Sequence, residues 1–231
     1  MGFLPVGAYR VGLWVIQQTQ SVPLGVALVV VSAALLGSPA TAQQSAAAQH
    51  VAHLTTSFPG APENRGLIVT ASEEANAAMM HANFAGGDPA NLEAMKTHSG
   101  HVLRVLDPSY GAGPGLGFGL KPAAEAIIAH IELAMSAPGA SPSVMALGPD
   151  LAAAARGVIA RCDRIIELGE RLYVAGSAAE AAPLVAEMRT LALALDTGEG
   201  NDLDAGQGGM THVEAQAYEI LSGEGLLRVL R

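Results

Sequence analysis

The chain has 231 residues, half of them hydrophobic, with 12 Lys or Arg against 21 Asp or Glu and a formal charge of −9. A charge of that sign repels phosphate backbones and anionic headgroups, which excludes nucleic acid as an expected partner. The single cysteine excludes an intramolecular disulfide and the CxxCH attachment of a c-type haem.

Residues 1–42 hold no acidic residue, one cation at Arg10, and an apolar run from Leu24 to Gly37. A membrane span needs about 20 apolar residues, and this run is shorter. Ala40-Thr41-Ala42 after it fits the small-residue pattern of signal cleavage. The expected reading is a signal peptide over 1–42 and a periplasmic or extracellular protein. The alternative is an uncleaved anchor in which Phe3 to Ile16 also meets the membrane, so membrane contact is expected only if the leader is retained. Cleavage removes one cation and no anion, leaving 11 against 21 and a charge of −10.

Residues 43–66 are polar and Ala-rich, with Pro59, Gly60 and Pro62 breaking any regular pattern, and they read as a flexible tether. Thr70-Ala-Ser-Glu73 is a capping box that opens a first helix, closed near Phe84 by Gly86-Gly87. Asp88 and Pro89 open a second, whose Leu92, Met95, Val102 and Leu106 recur at helical spacing up to Asp107-Pro108. Tyr110 to Leu120 contains five glycines and a proline and reads as a surface loop. It lacks the preceding strand and the Gly-Lys-Ser/Thr ending of a phosphate-binding loop.

A third helix is expected from about Pro122 to Met135 and a long Ala-rich fourth from Pro149 to Val174. Ser177-Ala-Ala-Glu180 starts a fifth, ending near Leu195, and Thr211-His-Val-Glu214 a short last one. Cys162 lies among Val158, Ile159, Ile165 and Ile166, which reads as a buried, inert thiol. No segment alternates like a strand. The expected fold is all-α, an up-down helical bundle over 67–195 built from two similar helical hairpins, with an acidic loop and C-terminal helix over 196–231.

Four histidines fall in these helices. His81 precedes His98 and His101 by 17 and 20 positions, and the same steps from His130 reach Leu147 and Asp150. Ala85 with Ala134, Pro89 with Pro138 and Val102 with Leu151 match in this register, so a duplicated hairpin is expected, with His81 superposing on His130. The pieces His81-Ala82, His98-Ser-Gly-His101-Val102, Ala129-His-Ile-Glu-Leu-Ala134 and Asp150-Leu-Ala-Ala-Ala-Ala-Arg156 resemble a family of exported bacterial helical-bundle proteins of no settled function. That family carries an early His, an H-x-x-H pair, an Ala-His-Ile/Ala-Glu/Asp-Leu-Ala segment, a second H-x-x-H and often a C-terminal loop like an EF-hand. The chain departs from it at Leu147 and Asp150, which stand where the second pair belongs.

An H-x-x-H pair on a helix sets two imidazoles on adjacent turns of one face, where they can share an ion with a third ligand from a facing helix. His98 and His130 lie on apolar stripes, so His98, His101 and His130 are expected to converge. His81 is a further candidate whose reach depends on the bundle's register. Imidazole ligands suit zinc or copper, and two facing histidines suit non-covalent haem.

His50 and His53, in the tether, and His212, at a helix start, read as solvated. Glu73 reads as a cap and Glu74 as a solvated first turn. The loop Asp196 to Gln207 has calcium-loop composition, but Gly198, Gly200, Asn201 and Gln207 stand at the wrong positions, so calcium is not expected. The expected function is metal or haem binding in the cell envelope. The alternative is an interaction or scaffold subunit, with a protein partner or second copy on the Ala-rich face Leu151 to Ala155 and purely structural histidines. No catalytic motif points to an enzyme.

Overall fold

Ser45, Asn91, Ser141 and Ser177 each turn a side-chain oxygen onto a backbone N–H three residues ahead, at 3.1, 3.0, 3.1 and 3.3 Å, and each opens a helix. The computed structural model of the chain describes residues 45–223. The leader and its cleavage site lie outside them. The described residues form α1 (Ala46–Thr55), α2 (Leu67–Ala85), α3 (Leu92–Leu106), α4 (Leu120–Ser136), α5 (Pro142–Val174), α6 (Ala178–Thr197) and α7 (Met210–Gly223), with no strand among them. The expected all-α bundle is what the chain makes.

Several boundaries move for local reasons. Residues 46–55 are a helix and not a tether: Ala47, Val51 and Leu54 recur at helical steps and are buried. The first predicted helix begins a turn before its capping box, because the Thr70 hydroxyl donates back to the Gly66 carbonyl at 3.0 Å and Glu73 pairs with Arg65. Asn91 caps α3, while Asp88 accepts from the Ala90 N–H in the preceding turn. α5 starts at Pro142, a full seven residues before Pro149, which lies inside it.

The long helix organises the packing. α5 has 33 residues, α3 has 15 and α4 has 17. α3 and α4 lie end to end along α5. Leu103 of α3 packs on Gly169 while Met95, two turns earlier, clusters with Leu172 and Ala175; Lys121 at the start of α4 pairs with Asp163 at 2.6 Å, and Met135 at its end packs on Gly148. Both therefore run opposite to α5, and in the same sense as each other. α2 lies across their junction, with its stripe Ala71, Ala75, Ala78, Ala82 and Ala85 buried. α1 starts beside Gly139, just past the end of α4, and ends with Thr55 against Gly66, so it runs antiparallel to α4.

The junction is held by one buried carboxylate. Glu74 is 0% exposed and accepts from the N–H groups of Leu116, Phe118 and Gly119 at 3.1, 3.0 and 3.0 Å. The glycine-rich stretch folds around it, and Gly115, at φ 93°, touches the carboxylate, so a side chain there meets both a steric and a backbone penalty. The expectation of a solvated Glu74 is corrected. Its carboxylate satisfies three donors at the start of α4, and each would cost about 1–3 kcal/mol if left buried and unpaired.

By length and composition α5 could cross a membrane, but here one face of it, with Leu151, Val158, Ile165 and Leu168, is buried in the core of the bundle. Leu151, Ala152, Ala154 and Ala155, the face read as a partner surface, are buried, with Gly208 against Ala154. Cys162 is fully buried, and burial pushes its thiol above the ordinary range, as expected of an inert cysteine.

Two candidate metal centres

Three residues apart on α3, His98 and His101 share a face, and α2 brings His81 against them. The Nδ1 atom of His81 lies 3.4 Å from that of His98 and 3.3 Å from that of His101. At the other end of the bundle α1 presents a second pair of this type, His50 and His53, to His130 of α4. The Nδ1 of His130 lies 3.0 Å from that of His50 and 3.4 Å from that of His53. In each group one ligand atom per residue lies within 4.8 Å of the other two.

Two uses of an imidazole cluster bring ring nitrogens this close. A neutral imidazole can donate to a neighbour's lone pair, and N–H···O bonds are commonest near 2.9–3.0 Å. The His50–His130 pair fits that distance. The other three are longer, and match the edge of a tetrahedron around an ion with bonds of about 2.0–2.1 Å, which is about 3.3–3.4 Å. Each centre also has an aromatic wall. Phe84 stands 5.5 Å from His81 and 5.3 Å from His98, and Phe58 stands 5.7 Å from His53 and 5.3 Å from His130, ring centre to ring centre.

Burial opposes the charged form of His81, His101 and His130 and holds their pKa values below the usual histidine value, with the neighbouring imidazoles adding to the effect. Arg104 acts on His101 in the same direction. Neutral imidazole is the form that binds a metal.

The structure thus unites His81, His98 and His101 and places His130 in another group. The convergence of His98, His101 and His130 does not occur, because α4 runs on from α3 and carries His130 away. His81 lies seven residues beyond Glu74, and His130 eleven beyond Gly119, which Glu74 holds, in the opposite direction. At about 1.5 Å of rise per residue, with both rings leaning back toward their helix N-termini, the centres are on the order of 20–25 Å apart.

Leu147 and Asp150, the positions matched to the first H-x-x-H pair, lie on α5, half-buried and exposed. The second pair was upstream, in the segment read as a tether, and the repeated spelling H-x-x-H at 50–53 was the signal for it. His212 belongs to neither group: its Nδ1 accepts from the Gly209 N–H at 3.2 Å and its Nε2 lies 3.2 Å from the Asn201 side chain, at the start of α7.

The acidic loop after α6 is ordered by the protein itself. Arg161, 4% exposed, donates to the Gly206 carbonyl at 3.0 Å and lies 3.4 Å from Glu199. Asp196, at the first calcium-loop position, takes the Thr211 hydroxyl at 3.4 Å. No known protein family, curated protein or solved structure matches the chain.

Proposed function

We propose that the protein binds one transition-metal ion at each of two trihistidine centres, His81/His98/His101 and His50/His53/His130. What carries the reading is that one construction occurs twice: an H-x-x-H pair on one helix, a single histidine from an adjacent helix, and a phenylalanine over two of the three rings. Core histidines need no such convergence. Imidazole nitrogens suit zinc and copper best. A haem iron with bonds of about 2 Å on opposite faces would set its two axial nitrogens about 4 Å apart, which does not match these separations, so the geometry supports single ions.

Residues 1–42 support an exported location, where such a protein serves as a store, carrier or sensor of metal in the cell envelope. The scaffold alternative loses its main support, since the Ala-rich face of α5 is covered within the chain.

Protein purified without a histidine tag, loaded with zinc or copper and desalted, is expected to retain two ions per chain by elemental analysis. Retention of none would leave the histidines structural and overturn the reading.

A further inference from the structure

We infer that each bound ion keeps one coordination position open to solvent and takes a small monodentate ligand there, an anion or a nitrogen donor. The inference rests on metal binding at both centres as proposed above, and it names what the loaded centres would in turn bind.

Closed structural sites enclose an ion with four protein ligands, whereas three-histidine sites leave a fourth position for water or substrate. Each centre here offers three nitrogens, and among the described residues no carboxylate or thiolate joins either group. Three acidic side chains near the α1–α4 centre are engaged elsewhere. Glu132, two residues after His130, pairs with Arg156 at 2.5 Å, and Glu63 and Glu73, near α1's end, both pair with Arg65 at 2.6 Å. Cys162 is buried inside the core.

In each centre the Nδ1 of the single histidine lies 3.0–3.4 Å from both members of the facing pair, close enough for three nitrogens to share one ion and leave a fourth vertex for another ligand. That vertex is within reach of solvent: five of the six histidines are only half-buried, and Phe84, at the edge of the α2–α3 centre, is 50% exposed.

The two centres differ in charge. Arg104 lies one turn beyond His101 on α3 and acts on it electrostatically, so the α2–α3 centre favours an anion. At the α1–α4 centre the nearest cation in sequence to His50 and His53, Arg65, is neutralised by two glutamates.

Cobalt(II) is the probe, because its visible d–d bands report coordination number. The intact protein loaded with two equivalents is titrated with sodium azide, and separately with imidazole, at constant ionic strength set with perchlorate. A saturable band shift with cobalt still on the protein after desalting is the expected result, and azide should saturate at lower concentration in His130→Ala, which retains the α2–α3 centre, than in His81→Ala, which retains the other. Bands unchanged by either ligand, with cobalt bound, would overturn the open position and leave metal binding standing. Loss of cobalt into the filtrate would overturn it too, since the ligand would then be stripping the ion. A protein that holds no cobalt overturns both this inference and the function it rests on.

Discussion

Replacing His81 by Ala is expected to lower the metal content from two ions per chain to one, and replacing His130 by Ala to do the same. The double variant should hold none. Each of these residues is the single histidine that its helix contributes, and its Nδ1 stands against both members of the facing pair. Removing it leaves two nitrogens on one helix. Changes in residues that merely orient a ligand cost about 10–100-fold in metal affinity, so loss of a direct ligand should exceed that.

The control is His212→Ala, whose imidazole is spent on α7's first turn and which should keep both ions. Equilibrium dialysis with elemental analysis reads the outcome. If either single variant loses both ions, the histidines form one shared centre and the assignment to two is wrong.

The second large effect is on stability and its dependence on pH. A ligand that binds only the folded state at 100 times its dissociation constant stabilises by about 2.7 kcal/mol, so two filled centres contribute about 5 kcal/mol. For a domain of this size that raises the melting temperature by about 10–20 °C.

The sign with pH follows from the lowered pKa values of His81, His101 and His130. Unfolded histidines take their protons near pH 6.5, and these folded ones only at lower pH, so below about 6.5 the unfolded state binds more protons. Even without metal, the contribution of these groups is complete above the unfolded value and is lost as pH falls through the folded ones. With metal the loss is steeper, because the ion competes with protons for three imidazoles at each centre. Thermal unfolding at pH 7.5 and pH 5, with and without zinc, is expected to show the metal-induced increase at the higher pH and little of it at the lower. An equal increase at both would contradict imidazole ligation.

Much of the fold could be read locally, because its signals are local. Ser177 and the spacing of Met95, Val102 and Leu106 act within a turn or two, and α3 and α6 lie close to where they point, while α5 begins at Pro142, seven residues before the start expected at Pro149. α1 was obscured by its surroundings: ten Ala-rich residues followed by Pro59, Gly60 and Pro62 look like a linker, and only burial of Ala47, Val51 and Leu54 against the bundle makes them a helix.

The site was half legible for a related reason. His98 and His101 share a face by spacing alone, and His81 was among the candidates. Which single histidine meets which pair depends on the direction α4 takes after the glycine-rich stretch. That direction is fixed by Glu74 accepting N–H groups 42 to 45 residues away, a contact that no local pattern announces.

The most direct test is the distance between the ions. With two equivalents of copper(II) bound, pulsed dipolar electron paramagnetic resonance should give one dominant copper–copper distance on the order of 20–25 Å, set by helix rise on either side of Glu74. The nitrogen hyperfine pattern at each copper should be that of imidazole. A distance below about 10 Å, or a single copper per chain with no dipolar partner, would contradict two separate trihistidine centres at opposite ends of the bundle.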